Sequence, residues 1–261
     1  MTLRRRLDAE MVRRGLASGR DQAKRLIEDG GVRVNGSEGA KAATLVGPGV
    51  PIVIVADSVE WASRGGLKLA AALDAFDVDP TGMKTLDVGA SHGGFTDVLL
   101  ARGATSVVAV DVGYGQLVWR LAQDPRVTVV DRTNFRTVDV AGLGGPFDLV
   151  VMDVSFISVA HLAANLAAAG RPGSRYVVLV KPQFEVGKQR VGRGGIVSDP
   201  RAHTDAISAV SSALASVGIG TTDLIPSPIT GAKGNHEFLV LGVHGVYQAL
   251  APGRIEEAVQ L

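Results

Sequence analysis

Two stretches of the chain, Val107-Val108-Ala109-Val110 and Tyr176-Val177-Val178-Leu179-Val180, are apolar at every position, so a strand formed by either would be buried on both faces. Strands of this kind belong in a mostly parallel sheet with helices on each side, because a sheet with one wet face would alternate apolar and polar residues. The rest of the sequence fits that arrangement. Strands are expected at 84–89, 106–111, 127–131, 147–153, 175–181, 222–225 and 236–243, with helices at 95–102, 116–121, 158–169 and 202–217. A further helix over 65–76 would carry Leu69, Ala72, Leu73 and Phe76 on one face. The alternation predicts an α/β, Rossmann-like doubly wound domain, with ligands bound beyond the carboxyl ends of its strands.

The first 58 residues read differently, as a small α+β unit. Leu7, Met11 and Val12 form one helical stripe that ends at Gly15, and Ser18 is placed to cap a second helix with Ala23, Leu26 and Ile27 inward and Arg20, Lys24 and Arg25 outward. That helix stops at Gly30-Gly31, and short strands follow at Val32-Arg33-Val34 and Ile52-Val53-Ile54-Val55. Residues 59–64 would link this unit to a domain over 65–261. The stretch 182–200 has no evident element, is basic at Lys188, Arg190 and Arg193, and reads as a lid or an RNA-facing loop, or else a plain surface loop.

With no cysteine, the chain has no disulfides, zinc-thiolate sites, iron–sulfur centres or cysteine nucleophile. The basic start is followed by no apolar stretch, and no run is long enough to span a membrane, so the cytoplasm is the expected location. Net charge is only +1, but residues 1–36 carry nine Arg or Lys against five Asp or Glu. That bias suits a nucleic-acid partner as well as it suits an ordinary solvated surface.

The first expected strand runs into Asp87-Val88-Gly89-Ala90-Ser91-His92-Gly93-Gly94-Phe95. Small residues here would let backbone N–H groups of Gly89, Ala90, Ser91, Gly93, Gly94 and Phe95 approach a ligand at a helix start. Ser91 stands where the strict dinucleotide pattern needs glycine, which disfavours a nicotinamide cofactor without excluding it and favours S-adenosyl-L-methionine. Asp111, 22 residues after Gly89, is placed to hold ribose hydroxyls, and Asp131 could reach the adenine edge; a turn-forming role is the alternative for each. Asp87 would orient the glycine turn or lie near the cationic methionyl group.

Asp153 and Lys181 end the fourth and fifth strands and should share one sheet edge, with Lys68 arriving from the preceding helix and Glu237 from the last strand. Four charges of alternating sign would serve a transfer that aligns a weakly acidic hydroxyl with a reactive methyl donor and removes one proton without metal. Lys181 in its neutral form would accept the proton, with Asp153 orienting it and Glu237 holding the lysines or the substrate. Charges at strand ends with no such role are the alternative. Phe156 would stack on a base, line the pocket, or pack in the core.

These residues resemble the TlyA family of ribosomal RNA 2'-O-methyltransferases from end to end. The matches include Arg6-Leu7-Asp8, Ser18-Gly19-Arg20, Ser63-Arg64-Gly65-Gly66 with Lys68-Leu69, Asp87-Val88-Gly89-Ala90-Ser91, Asp153-Val154-Ser155-Phe156, Lys181-Pro182-Gln183-Phe184-Glu185 and Asp199-Pro200. The resemblance implies an S4-like RNA-binding domain and an FtsJ-like class I methyltransferase domain, with Lys68, Asp153, Lys181 and Glu237 as the catalytic set. It further implies cytidine ribose methylation in 16S and/or 23S RNA of assembled 30S and/or 50S subunits, with effects on capreomycin sensitivity. Arg4, Arg6, Arg20, Lys24, Arg64 and Lys188 would then contact RNA phosphates. A monomer is the simpler expectation. A methyltransferase for another structured RNA, and a ribosome-binding factor without catalysis, are the competing readings; a membrane-active protein lacks the apolar segment it would need.

Overall fold

A computed structural model describes residues 4–17, 19–28, 31–37, 40–54, 61–231 and 234–260, and its contacts divide the chain into units 1–60 and 61–261. Ser18, Gly30, Val55, Val59 and Glu60, which figured in the expected cap, helix stop, strand and linker, lie outside the described residues.

In the first unit, β1 (Arg5–Arg6) runs into α1 (Leu7–Arg13), followed by α2 (Arg20–Glu28), β2 (Val32–Val34), β3 (Leu45–Val46) and β4 (Ile52–Ile54). β1 pairs antiparallel with β3 and β2 with β4, so the described strands of this unit form two short ladders. The expected stripe forms the core, with Leu7, Met11, Ala23 and Ile27 packed on Val32, Val46 and Ile52. Burying the carboxylates of Asp8 and Glu10 beside this core requires cations. Arg6 grips Asp8 through two bonds of 3.1 and 3.0 Å, and Arg20 adds one of 3.1 Å. Arg13 and Arg14 hold Glu10. These guanidiniums, Arg6 foremost for Asp8 and Arg13 for Glu10, pull both acids down to about 2.

The second unit begins with α3 (Gly65–Ala75) and continues as β5 (Lys84–Val88), α4 (Gly94–Ala101), β6 (Ser106–Val110), α5 (Trp119–Ala122), β7 (Val127–Val130), β8 (Leu149–Met152), α6 (Ala163–Ala169), β9 (Arg175–Val180), α7 (Pro182–Glu185), α8 (Pro200–Ser216), β10 (Ile219–Pro226), β11 (Phe238–His244) and α9 (Pro252–Val259). The seven strands lie in the order β10-β11-β9-β8-β5-β6-β7. The five from β7 to β9 are parallel, while β11 and β10 close the edge antiparallel. Alternate residues of the central strands supply two apolar layers: Leu86, Val150 and Val178 on one face, Val151, Val177 and Leu179 on the other with α3 and α4. The chain leaves β5 in one direction and returns at β8, so the switch point falls between the ends of these strands.

Several expected boundaries move, each for a local reason. α5 starts at Trp119 rather than 116 because 111–118 loops around Asp111, whose Oδ1 accepts from the Gly113 N–H at 2.6 Å. The helix expected at 158–169 breaks into a 3-10 turn, Val159–His161, and α6. α8 begins two residues early because Asp199 caps it and Pro200 fits its first position. The expected structureless segment after Lys181 contains α7 and two 3-10 turns, Lys188–Arg190 and Arg193–Gly195, so the open-loop reading is corrected.

Candidate active site

Strand register brings the expected charges together. Asp153 follows β8 and Lys181 follows β9, neighbours in parallel pairing, and Nζ of Lys181 lies 2.5 Å from Asp153 Oδ1. The same nitrogen donates to Ser155 Oγ at 3.0 Å. Phe238 pairs with Val180, so Glu237, one residue earlier on an antiparallel strand, comes level with Lys181. Glu237 Oε2 accepts from Lys68 Nζ at 2.5 Å, and both side chains are buried, at 3% and 9% exposure. Lys68 stands one turn along α3 from Gly65, whose Cα faces the Asp153 carboxylate beside Ser63 and Phe95. Two lysine–carboxylate pairs therefore share the carboxyl edge of the sheet.

Beside them lies the glycine turn. Gly89 at φ +86° passes so close to the Asp153 carbonyl that a β-carbon would collide with it, and Gly93 at φ +95° is covered by Leu117 and Leu121. Gly94 is packed under Ser63 and Gly66. The small residues at Gly89, Gly93 and Gly94 are thus required by the protein's own strand and helix contacts at the switch point, whether or not a ligand approaches them. Ala90 is buried, while Ser91 sits in a left-handed conformation at φ 46°. Phe95 is 3% exposed and its side chain belongs to the apolar layer with Leu69 and Val98, so only its backbone can face a ligand.

Asp111 is half-buried, with Oδ2 accepting from Ser91 N–H at 2.9 Å and Oδ1 from Gly113. A carboxylate has about four lone-pair sites, so capacity for two hydroxyl donors remains. Asp131 uses one oxygen for the Gly115 N–H at 2.8 Å, fixing the loop that flanks Asp111. Asp87 is fully buried on the α4 side; Thr96 Oγ1 donates to its Oδ2 at 2.7 Å, while Oδ1 finds no partner among the described residues. Burial raises this carboxyl to about 7 against the Thr96 bond, with Asp153 adding repulsion. A buried acceptor left open, a half-satisfied aspartate and a turn at a helix start fit an electron-poor, hydroxyl-bearing ligand such as an adenosyl sulfonium.

The Asp87 shift has a measurable sign. An acid raised above its unfolded value keeps, between about pH 4 and pH 7, a proton that the unfolded chain has released, so its contribution to stability falls as pH rises through that window. Asp87→Asn can keep the Thr96 bond without ionising. Its melting temperature relative to the parent protein is expected to climb from pH 5 to pH 8, and parallel curves would refute the assignment.

At the rim, Phe156 is 89% exposed with φ 67°, a left-handed conformation that costs a bulky residue about 1–3 kcal/mol. The core reading of Phe156 is thereby corrected. Its ring lies 5.0 Å from that of Phe184. Arg64 is the N-cap of α3, and Lys188 is exposed in the 3-10 turn after α7. In the first unit, Arg4 is exposed, Lys24 is half-buried, and Arg6 and Arg20 leave about half of each side chain in solvent while gripping Asp8. Sequence reasoning gave no role to Ser155, Phe184 or Glu185, although Glu185 lies four positions after Lys181, a spacing that one helical turn would have flagged.

Residues 61–243 match the FtsJ-like methyltransferase family and residues 5–52 the S4 domain. The 16S/23S rRNA (cytidine-2'-O)-methyltransferase TlyA of Mycobacterium tuberculosis is 46% identical over 260 residues, 99% of this chain and 97% of the relative. The 23S rRNA (cytidine-2'-O)-methyltransferase TlyA of Campylobacter jejuni is 33% identical across 68% of this chain and 69% of its own length. A solved structure from Streptococcus thermophilus that carries the hemolysin name superposes with a TM-score of 0.78 at 38% identity, covering 99% of this chain and 95% of its own. With that similarity spanning both units, the chain belongs to the TlyA family of FtsJ-like methyltransferases.

Proposed function

We propose that the chain methylates the 2'-oxygen of a cytidine ribose in ribosomal RNA, within the small or the large subunit or both, using S-adenosyl-L-methionine and no metal. The observation that carries this reading is the pair of lysine–carboxylate contacts, Lys181–Asp153 and Lys68–Glu237, at the switch point beside Asp111. The relatives named above support the RNA and the sugar position.

When bound, S-adenosyl-L-methionine supplies an electrophilic methyl group. Asp111 would hold its ribose hydroxyls, the turn from Gly89 to Phe95 its adenosyl side through backbone groups, Asp131 the adenine edge through the Gly115 loop, and Asp87 its cationic end. Lys181 Nζ in its neutral form would accept the proton of the 2'-hydroxyl as that oxygen takes the methyl group and the donor's sulfur keeps the electron pair of the broken sulfur–carbon bond; Asp153 and Ser155 would then hold the resulting ammonium. Lys68 is fixed by Glu237 and sets a second positive charge near the developing oxyanion. Phe156, projecting from the rim, offers a face for the displaced base. Arg4, Arg6, Arg20, Lys24, Arg64 and Lys188 bind phosphates, which orients the RNA without reading much of its sequence. Such an enzyme works in the cytoplasm, where ribosomes are assembled.

Isolated 30S and 50S subunits incubated with methyl-labelled donor test the reading. Label is expected on a cytidine whose 3'-phosphodiester resists alkaline cleavage; label on a base, or none on either subunit, would overturn it.

A further inference from the structure

The methyl-transfer chemistry leaves unused a mostly buried carboxylate next to the site. Glu185 ends α7, the short helix that starts immediately after Lys181. Its Oε2 accepts from Ser158 Oγ at 2.6 Å and its Oε1 from the Val159 N–H at 3.0 Å. Ser158 Oγ in turn accepts from the Ala160 N–H at 3.2 Å, so Glu185 and Ser158 together cap the 3-10 turn Val159–His161. Keeping a carboxylate here is unfavourable; burial raises its proton affinity, and the bonds from Ser158 and Val159, with the field of His161, oppose that only in part.

The two bonds act on the segment 153–158, which Lys181 already holds at its other end through Asp153 and Ser155. Phe156 lies between the two anchors, in a left-handed conformation with its ring out in solvent against Phe184. An exposed, strained phenylalanine persists only where its neighbours over-determine the backbone. With the Glu185 end released, the segment is free to relax φ at Phe156 and lower the ring.

We propose that Glu185 is a positioning residue for RNA methylation: it clamps Ser158 and Val159 so that Phe156 stays raised at the rim. The proposal rests on the RNA reading above, and Glu185 touches neither donor nor RNA in it.

A double-mutant cycle on the full chain tests it, with labelled donor and isolated ribosomal subunits under single-turnover conditions. Glu185→Ala is expected to slow transfer about tenfold or more, with donor affinity and subunit affinity unchanged within twofold. Glu185→Gln, whose amide can still accept from Val159 and donate to Ser158, should recover activity to within about threefold. In a Phe156→Ala background, Glu185→Ala should add no further loss, because the ring it positions is gone; a residue that only stabilises the fold would give multiplied losses. Multiplied losses, or full activity in Glu185→Ala, would overturn the clamp. A parent enzyme that labels neither subunit would overturn the RNA reading itself, an outcome visible before any variant is compared.

Discussion

Replacing Lys181 with alanine is expected to slow methyl transfer by about 10²–10⁴-fold, the range that a general base contributes. The size follows from where the amine sits. Nζ is held at the sheet edge by Asp153 and Ser155, and among the described residues no other amine is bonded to that pair. Asp153 keeps partial access to solvent, with its side chain 21% exposed, so water can replace the lost ammonium and the variant should fold. Donor binding by calorimetry and subunit binding by filter retention should stay within about twofold of the parent protein, which separates lost chemistry from lost affinity. Lys181→Arg should be nearly as inactive, because a guanidinium stays protonated. Full activity in the alanine variant would remove the proposed mechanism.

Glu237→Ala should damage stability as well as rate. Lys68 would be left as a buried ammonium without its counter-ion, and breaking such a pair from one side costs about 3–5 kcal/mol. For a unit of this size that corresponds to a fall of about 10 °C in melting temperature. Removing both charges together, as in Lys68→Met with Glu237→Leu, should restore most of the lost stability, since burying the pair has its own desolvation cost. Activity should not return with it. Calorimetric scans beside transfer assays check both halves, and a double variant that regains activity would show the pair to be only structural.

The sheet could be read from sequence because its central strands are buried on both faces: the uninterrupted apolar runs that became β6 and β9 leave little alternative. The site was legible for the same reason, since a polar residue straight after such a run has to emerge at the strand end, as Asp111, Asp153 and Lys181 do. What the pattern hid was tertiary. The two-residue strands β1 and β3 have no period to detect, and their pairing depends on a partner about 40 positions away. Gly94 gave the signal of a ligand-binding turn, but the atoms that exclude a side chain there come from Ser63 and Gly66. Phe156 read equally as core or surface because side-chain type does not reveal backbone strain. Glu185 went unassigned because its partners, Ser158 and Val159, are brought to it by the adjacency of β8 and β9.

Lys68 and Glu237 are 169 positions apart, one at the entrance to the methyltransferase domain and the other immediately before its last strand. During synthesis the helix bearing Lys68 emerges long before its counter-ion, and must wait in water until the β10–β11 hairpin arrives. Closing the sheet and pairing Lys68 with its counter-ion are therefore a single late event. A chain that stops short of β11 therefore leaves Lys68 without the partner that the finished site gives it.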